Sequence, residues 1–403
     1  MRATVITLAD IEEARERVAA VLRRTPLDRS DMFSRLAGRP VALKPEHLQR
    51  TGSFKIRGAT NKISRLSPGT EVVAASAGNH AQGVALAATQ AGLRSTIFMP
   101  LGAALPKLEA TQNYGATVQL LGDTVDDAIA AARSYAADRR DAVLVAPFDD
   151  PHVIAGQGTL GLEIADEAPD AQVVVVPVGG GGLISGVATA LKSLPDPPRV
   201  VGVQAAGAAC MAESLKAGHP VQLTAVSTMA DGIAIKTPSG LTLAHVQAFV
   251  DEVVTVDEDD ISRAVILLLE RAKAVVEPAG AASLAAILSG KVGGEGLAVA
   301  VLSGGNVDPF LLLNLINRGL SASGRFLILR VQLHDRPGAL ATLATLVAGM
   351  GLNILAVEHH RAGVLLPVED VEVVLTVETR DPDHRDEVVA EMRSQGFRVD
   401  LVG

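Results

Sequence analysis

Aromatic residues are scarce in this chain of 403 residues, which has no tryptophan and only 2% aromatic residues in all. Basic residues are outnumbered by acidic ones, and the formal net charge is −9. Proteins that bind nucleic acid stack aromatic rings on bases and contact phosphates through basic patches. Because the sequence offers neither feature, we expect no nucleic-acid partner.

Cysteine and long apolar runs are also nearly missing. The single cysteine, Cys210, cannot form an internal disulfide bond, which favours a reducing compartment. Residues 1–22 are charged and lack the apolar centre of a secretory signal. No apolar run approaches the ~18 residues typical of a membrane span. We therefore expect a soluble cytoplasmic protein with no membrane partner.

Short apolar strands alternate with helical stretches up to about residue 318. This alternation predicts an α/β architecture, and the length allows two or three domains. The predicted strands cover residues 41–44, 71–74, 95–98, 143–145, 173–176, 199–203 and 297–302. Predicted helices lie between them, for example over 54–66, 82–91 and 261–274.

The pattern changes after residues 319–324, whose small residues predict a flexible linker. The tail then reads as strand, helix, strand, strand, helix and strand. These elements are predicted over 325–333, 339–350, 353–360, 371–378, 385–395 and 397–402. The order βαββαβ is typical of the ferredoxin-like fold, so the tail is expected to be an appended module.

A lysine at the start of a predicted helix is the first candidate for chemistry. Lys55 follows a short strand and a loop, and Ser53 is a suitable N-cap for the helix. The positive end of the helix dipole and burial both disfavour an ammonium ion and so favour the free amine. A free amine is the nucleophile that attacks an aldehyde. The alternative for a lone lysine is a solvated side chain that points away from the helix end.

Four consecutive glycines, Gly179 to Gly182, follow the buried strand over 173–176 and precede a predicted helix. Such a turn directs backbone N–H groups toward an anion, and without Cβ atoms the backbone can approach it closely. The Gly-x-Gly-x-x-Gly pattern fails because its last position falls on Ile184 or Ser185. We therefore expect a site for a single small phosphate rather than a dinucleotide. The alternative is an ordinary tight turn.

Polar residues follow two further strands at the edge where α/β sheets bind ligands. One segment, residues 76–83, reads Ser-Ala-Gly-Asn-His-Ala-Gln-Gly, and Ser303 ends another strand. We expect the first segment to hold a carboxylate, Asn79 to reach a phenolic oxygen and Ser303 to bond a ring nitrogen. The alternative is that Ser76, Asn79 and Ser303 only cap helices.

Other candidate groups have simpler interpretations. Glu277 precedes Pro278 at a predicted helix start, where the helix dipole favours a carboxylate. His359 and His360 are adjacent on a predicted strand, so they point to opposite faces and cannot share a metal ion. The chain has no Cys/His spacing typical of zinc, and we expect no bound metal.

Together these motifs resemble the serine/threonine dehydratases, which are pyridoxal-phosphate enzymes of fold type II, the tryptophan-synthase-β-like fold. The resemblance covers about residues 5–318 and rests on segments 44–59, 76–83, 155–159, 179–183, 277–281 and 303–306. The tail, with Asp-Arg-Pro-Gly-Ala-Leu at 335–340, resembles an ACT regulatory domain. One such tail on this core is similar to the medium-length threonine ammonia-lyases.

The resemblance implies a catalytic domain over 1–318 made of two open α/β subdomains, the smaller (about 45–148) inserted in the larger. A linker over 319–324 and an ACT domain over 325–403 follow. It also implies pyridoxal phosphate as the cofactor. The implied reaction converts L-threonine to 2-oxobutanoate and ammonia, and L-serine to pyruvate.

Residue roles follow by position in the family motifs. Lys55 is expected to bond the cofactor and to move the Cα proton, and Ser303 to act with it by bonding the ring nitrogen. The implied cofactor contacts are Phe54, Lys55, Asn79, Gly179, Gly180, Gly181, Gly182, Leu183 and Ser303. The implied substrate contacts are Ser76, Ala77, Gly78, Asn79 and His80.

Two departures from related racemases are informative. Serine racemases of this family have a similar loop but carry serine where this chain has Ala77. The alanine in this chain favours dehydration over racemisation. Their divalent-cation site draws on the segment after Gly202, and the matching residues 204–210 here contain no carboxylate. This again predicts no bound magnesium.

The tail is expected to bind an amino-acid effector, isoleucine first and then valine. The implied regulatory residues are Asp335, Pro337, Gly338, Ala339, Leu340 and Asn353, with Asn353 supplied across a pair of ACT domains. Such pairing implies a homo-oligomer, and we expect a homotetramer. The alternative is an ACT fold that serves only in assembly.

Two other functions stay open. One is a serine dehydratase or another β-eliminating lyase. The other is a non-catalytic amino-acid sensor, which intact Lys55, Ser303 and the glycine run argue against.

Overall fold

A computed structural model describes residues 5–322, 325–361 and 369–402 of the protein. The chain forms two compact units, Met1–Asp308 and Pro309–Gly403. The first unit contains two separate sheets and the second contains one. This arrangement confirms the predicted fold class of two open α/β subdomains followed by a ferredoxin-like domain.

The larger sheet of the first unit has six strands. In spatial order they are Asp28–Arg29 (β1), Val41–Lys44 (β2), Ala298–Val301 (β10), Val173–Pro177 (β7), Arg199–Ala205 (β8) and Glu252–Val256 (β9). All neighbours are parallel except β1, which runs antiparallel to β2. Every residue of β2, β7 and β10 is buried. Continuous burial of this kind is expected for a parallel sheet that is covered on both faces.

The smaller sheet has four parallel strands. In spatial order they are Thr117–Leu120 (β5), Arg94–Met99 (β4), Glu71–Ala75 (β3) and Ala142–Leu144 (β6). All four lie between β2 and β7 in the chain, so the small subdomain is an insertion in the larger one. Its core is built from small apolar residues, such as Ala81, Val84 and Ala88, packed on β3 and β4.

Twelve helices of the first unit are described. They are Leu8–Val18 (α1), Asp31–Ala37 (α2), Lys55–Ile63 (α3), Asn79–Gln90 (α4), Leu105–Asn113 (α5), Val125–Ala137 (α6), Pro151–Glu167 (α7), Gly182–Lys192 (α8), Cys210–Ala217 (α9), Gly240–Phe249 (α10), Glu258–Leu267 (α11) and Pro278–Leu288 (α12). The predicted helix over 261–274 corresponds to α11 and a π-helical turn at Leu268–Ala272, which ends where Lys273 adopts a φ of 56°. None of the helices in the described residues is long and apolar enough to cross a membrane.

Glycines on α7 allow two neighbouring helices to approach it closely. A Cβ atom on Gly156 would lie 2.6 Å from the carbonyl oxygen of Arg57 on α3. A Cβ atom on Gly161 would lie 2.8 Å from the carbonyl oxygen of Val187 on α8. Since real Cβ atoms do not fit at such distances, α7 can hold α3 and α8 in place only with glycine at these positions.

A largely buried ion-pair cluster anchors α3. Arg57 is completely buried, and its guanidinium binds both carboxyl oxygens of Glu46 at 2.6 and 2.9 Å. It also binds both oxygens of Glu163 on α7 at 2.7 and 3.0 Å. Lys44, buried as well, contacts Glu163 and Glu167 at 2.9 Å each. Such bidentate pairs fix geometry strongly. The cluster therefore holds α3, and with it Lys55, against the large subdomain.

The second unit has the predicted element order. Its elements are Pro309–Ala322 (α13), Phe326–His334 (β11), Ala339–Gly349 (α14), Ile354–His360 (β12), Asp370–Glu378 (β13), Pro382–Ser394 (α15) and Arg398–Leu401 (β14). The antiparallel sheet has the order β12-β13-β11-β14. Alternate residues of β11 and β13 are buried, and they form the core with one face of α14 and α15. This confirms the βαββαβ module.

The predicted linker is wrong for residues 319–322, because they complete α13. Once a helix has formed, each added residue contributes a hydrogen bond, so a short run of small residues can extend it. Ser323 and Gly324 lie outside the described residues. Because α13 contacts β11, the second unit begins at Pro309, before the expected domain end at 318.

We expect Arg57→Ala to lower the free energy of unfolding by about 3–5 kcal/mol, because it leaves the buried Glu46 carboxylate without its partner. Urea denaturation followed by circular dichroism measures this change. Arg17→Ala is the control, since Arg17 pairs with Glu13 at the surface and its loss should change stability little. Equal effects of the two substitutions would contradict the importance of the buried cluster.

Candidate functional site

One cavity of about 590 Å³ lies between the two sheets of the first unit, in the usual size range of small-molecule sites. It opens at the carboxyl ends of β3, β7 and β10, where α/β folds bind ligands. Every catalytic, cofactor and substrate residue predicted for this unit lines it. These are Phe54, Lys55, Ser76, Ala77, Gly78, Asn79, His80, Gly179, Gly180, Gly181, Gly182, Leu183 and Ser303.

Lys55 is the first residue of α3, as predicted, but Ser53 is not the N-cap of this helix. Phe54 occupies the cap position without a side-chain bond, and Ser53 is extended and pairs with Gly304 as an isolated antiparallel bridge. The Phe54 N–H donates to the carbonyl oxygen of Ser303 at 3.1 Å. The prediction was wrong because this backbone pairing with a distant segment replaces a local cap. It places Lys55 and Ser303 side by side.

The Lys55 amine is held inside the cavity with little to stabilise its positive charge. Its Nζ donates to the carbonyl oxygen of Pro147 at 3.0 Å and lies 5.1 Å from the centre of the Phe54 ring. Burial, opposed only in part by the Glu277 carboxyl, lowers the pKa of Lys55 to about 8. At pH 7 about one molecule in ten then carries a free amine, against about one in 3000 for an ordinary lysine.

The glycine run forms a tight loop between β7 and the N-terminus of α8. Gly181 is the N-cap of α8 and has a φ of 93°, a region that side chains disfavour. A Cβ atom on Gly180 would collide with the Phe148 ring, and one on Gly181 would lie 2.7 Å from Met211 Cε. The loop is therefore restricted to glycine both by conformation and by space. Its N–H groups lie at the positive end of an 11-residue helix, which favours an anion.

Ser76 and His80 occupy the loop and first turn after β3. Neither Ser76 nor Asn79 is the N-cap of α4, because Gly78 takes that position, while the Ser76 hydroxyl accepts a bond from the Gly78 N–H at 3.1 Å. A ring nitrogen of the buried His80 contacts the carbonyl oxygen of Val145 at 2.9 Å. Burial, reinforced by the Lys55 charge, lowers the pKa of His80 to about 3. His80 is therefore neutral and offers no positive charge to an anion in the cavity.

Asn79 lies at the centre of a polar network that the sequence did not reveal. Its Nδ2 donates to Glu277 Oε1 at 2.7 Å, and its Oδ1 accepts from Asn306 Nδ2 at 2.7 Å. Glu277 is the N-cap of α12, and Pro278 is at N1 as predicted, but the Glu277 side chain makes no cap bond. It turns into the cavity instead. In the sequence, the only indication of this network is that Glu277 belongs to the family-like segment 277–281 and Asn306 to the segment 303–306.

Two ion pairs at the cavity wall were also missed. Lys107 on α5 contacts Asp231 at 2.7 Å, and Lys236 contacts Asp126 on α6 at 2.7 Å. Both pairs connect the small subdomain to the loop before α10. The partners are more than 100 residues apart in the chain, and isolated charges of this kind give no recognisable pattern.

The predicted regulatory residues of the second unit fall into two places. Asp335, Pro337, Gly338, Ala339 and Leu340 surround the N-terminus of α14, where Gly338 is the N-cap with a φ of 92°. Asn353 lies at the other end of the sheet, because its carbonyl accepts from Glu378 and Glu378 pairs with Phe326, the first residue of β11. One strand of nine residues, roughly 25–30 Å, separates the two places. A single copy does not bring them together.

Comparison with known families gives two matches. Residues 18–304 match the pyridoxal-phosphate dependent enzyme family, and residues 327–397 match the ACT domain family. The first match lies within the first unit and the second match within the second unit.

Two relatives match over nearly the whole length of both chains. The L-threonine ammonia-lyase of Thermotoga maritima is 47% identical over 403 residues, which cover 99% of this chain and 100% of the relative. The L-threonine ammonia-lyase of Geobacter sulfurreducens is 46% identical over 396 residues, with 97% and 98% coverage.

Two solved structures match about three quarters of the chain. A threonine deaminase from T.th. is 41% identical with a TM-score of 0.72, and the match covers 75% of this chain and 99% of that one. Maize serine racemase is 33% identical with a TM-score of 0.73, and the match covers 79% of this chain and 99% of that one.

We expect Gly181→Ala to weaken the binding of pyridoxal phosphate by roughly 5–30-fold, because a side chain at this φ costs about 1–2 kcal/mol and the loop must move to relieve it. Calorimetric titration of the cofactor-free protein measures the affinity. Gly290→Ala is the matched control, since Gly290 has a φ of 70° in open space after α12. A similar loss of affinity in both variants would mean that the effect comes from general destabilisation.

Proposed function

The chain belongs to the threonine ammonia-lyase family of pyridoxal-phosphate dependent enzymes and carries an ACT domain, and we propose that it deaminates L-threonine to 2-oxobutanoate and ammonia. We also propose that it converts L-serine to pyruvate and acts in the cytoplasm. The observation that carries the proposal is a lysine of lowered pKa in the same cavity as a phosphate cradle.

The cavity residues fit pyridoxal phosphate. The glycine loop, which has no room for Cβ atoms, would hold the phosphate through N–H groups at the start of α8. The Lys55 amine suits the aldehyde, Asn79 the ring oxygen and the Ser303 hydroxyl the ring nitrogen. Once bound, the cofactor supplies an electron sink for the bond broken at the substrate Cα.

The protein's own contribution is to bind the substrate, orient it and move protons. Ser76 and the N–H groups of the loop that follows it hold the substrate carboxylate, because His80 is neutral there. Lys55 takes the Cα proton, and its lowered pKa makes the free amine available near neutral pH. Ser303 is a neutral hydroxyl, so it does not force a proton onto the ring nitrogen as a carboxylic acid partner would. This environment favours loss of the β-hydroxyl over re-protonation of Cα.

Racemisation is the second activity to consider, because maize serine racemase has the same fold. Re-protonation on the opposite face of the cofactor requires a proton donor there. In this chain the loop that follows β3 presents Ala77, which has no such group. Elimination is therefore the favoured outcome.

For the ACT domain we propose binding of isoleucine, or of valine, and assembly into a homotetramer. The open loop before α14 presents backbone N–H groups at a helix N-terminus, which suits an amino-acid carboxylate. Because Asn353 lies at the far end of its own sheet, it can complete this site only from a second copy. Such a site requires an oligomer.

We expect the purified protein to form 2-oxobutanoate from L-threonine, and pyruvate with very little D-serine from L-serine. Lys55→Ala should lower the rate by about 10²–10⁴-fold, since Lys55 transfers the Cα proton. Borohydride should attach the cofactor to Lys55 in the wild type only.

Ala77→Ser is the informative variant for racemisation, because a hydroxyl group at this position should increase the amount of D-serine formed. Abundant D-serine from the wild type would contradict the proposed preference for elimination.

We expect isoleucine to bind the full-length protein with measurable heat and to change the threonine activity curve. Binding should be lost in Gly338→Val, because a branched side chain at a φ of 92° distorts the loop before α14. Calorimetry with isoleucine and valine, alongside activity curves, tests this. If neither amino acid gives heat or a kinetic change, and deletion of residues 325–403 dissociates the oligomer, the ACT domain serves assembly instead.

A further inference from the structure

Glu277 is a buried carboxyl group in the cavity that the proposed reaction leaves unused. It is 4% exposed and lies at the N-cap position of α12. Its side chain makes no hydrogen bond to the first turn of the helix and instead reaches Asn79 across the cleft. Within the described residues no lysine, arginine or histidine forms an ion pair with it. A buried carboxyl without a counter-ion is costly, so its presence calls for an explanation.

The hydrogen-bond network fixes which way the Asn79 amide faces. The backbone carbonyl of Thr51 can only accept, and it receives a bond from Asn306 Nδ2 at 2.7 Å. The same Nδ2 donates to Asn79 Oδ1 at 2.7 Å, so the oxygen of Asn79 faces Asn306. The amide nitrogen of Asn79 must then face Glu277 and the cavity. It has two hydrogens, and Glu277 Oε1 uses only one of them.

The surrounding backbone leaves space for this carboxyl group. A Cβ atom on Gly304 would collide with Glu277 Oε1 and would lie 3.1 Å from Asn79 Nδ2. The Glu277 N–H also donates to the Gly304 carbonyl at 3.1 Å, which ties the residue to the loop after Ser303. The position is therefore built for a carboxyl group and is not a chance rotamer.

Three charged groups face Glu277, and they shift its pKa in opposite directions. Burial, followed by the Asp231 carboxylate on the loop before α10, raises the pKa of Glu277 to about 7. The Asn79 hydrogen bond and the charges of Lys107 on α5 and Lys55 on α3 act in the opposite direction. Glu277 can therefore be neutral or ionised near neutral pH.

We propose that Glu277 is a positioning residue for the cofactor. It holds the side-chain amide of Asn79, which contacts the ring oxygen of the cofactor. It also carries an exchangeable proton, separated from this contact by the single hydrogen bond between Glu277 and Asn79. The inference rests on the proposed function, in which Asn79 bonds the cofactor. Glu277 is not a catalytic residue in this scheme, because it acts through Asn79. Protonation of Glu277 changes how strongly the Asn79 amide donates to the ring oxygen, and this tunes the electronic state of the bound cofactor.

The test is the visible absorbance of the bound cofactor as a function of pH, measured without substrate. In the wild-type holoenzyme this absorbance should change in one step as the pH passes through the pKa of Glu277. Glu277→Gln keeps an oxygen that accepts from Asn79 but cannot titrate, so it should retain cofactor affinity within about 3-fold and lose the step. Glu277→Ala removes the acceptor as well and should weaken cofactor binding by about 10-fold.

Substitutions at the cavity wall should move the step in opposite directions. Asp231→Asn removes a charge that raises the pKa of Glu277, so the step should shift to lower pH. Lys107→Gln removes a charge that lowers this pKa, so the step should shift to higher pH. Asp126→Asn breaks the other ion pair of the wall, with Lys236, and is the matched control that should leave the step in place.

The outcomes separate this inference from the proposed function. If the wild type takes up no cofactor, both are overturned. If it binds cofactor and deaminates threonine but Glu277→Gln shows an unchanged step, only the inference on Glu277 is overturned. A step that moves equally in Asp231→Asn and Asp126→Asn would also overturn it, because the effect would then come from opening the cleft.

Discussion

The site depends on a short backbone pairing between two segments that lie about 250 residues apart in the chain. Residues 52–54 pair with 303–305 through the Phe54 N–H to the Ser303 carbonyl and the Gly305 N–H to the Gly52 carbonyl. The Asn306 side chain adds a bond to the Thr51 carbonyl. This pairing joins the start of α3 to the end of β10. As a result the Lys55 amine, Ser303 and the Asn79 network share one frame, which catalysis by positioned groups requires.

Helix α3 shows how burial can have opposite effects on two basic residues. Arg57 has carboxylate partners on every side, so burial leaves it charged and fixes the helix. Lys55, two residues earlier, has a carbonyl and an aromatic ring as neighbours, so burial drives it toward the neutral amine. The rigid partner holds the reactive one in place.

The sequence predicted the features that are encoded locally. The spacing of apolar residues and the position of the glycines predicted three features that the structure contains. These are the valine-rich strand β7, the glycine turn before α8 and the order of elements in the ACT domain. The N-cap at Ser53 was predicted wrongly because a long-range pairing determines the local conformation. The orientation of Glu277 could not be predicted for a related reason, since its partner Asn79 belongs to the other subdomain. The prediction of a linker at 319–322 was wrong because the composition of these residues does not show that helix α13 has already begun before them.

The separation of Asn353 from the loop before α14 has a thermodynamic consequence. An effector that contacts both groups binds only to associated copies, so its binding and subunit association are linked. Its apparent affinity then rises with enzyme concentration until association is complete. By the same reciprocity, the effector strengthens association by the factor by which association strengthens effector binding. A cell that makes more of this enzyme would then also make it more sensitive to an effector bound in this way.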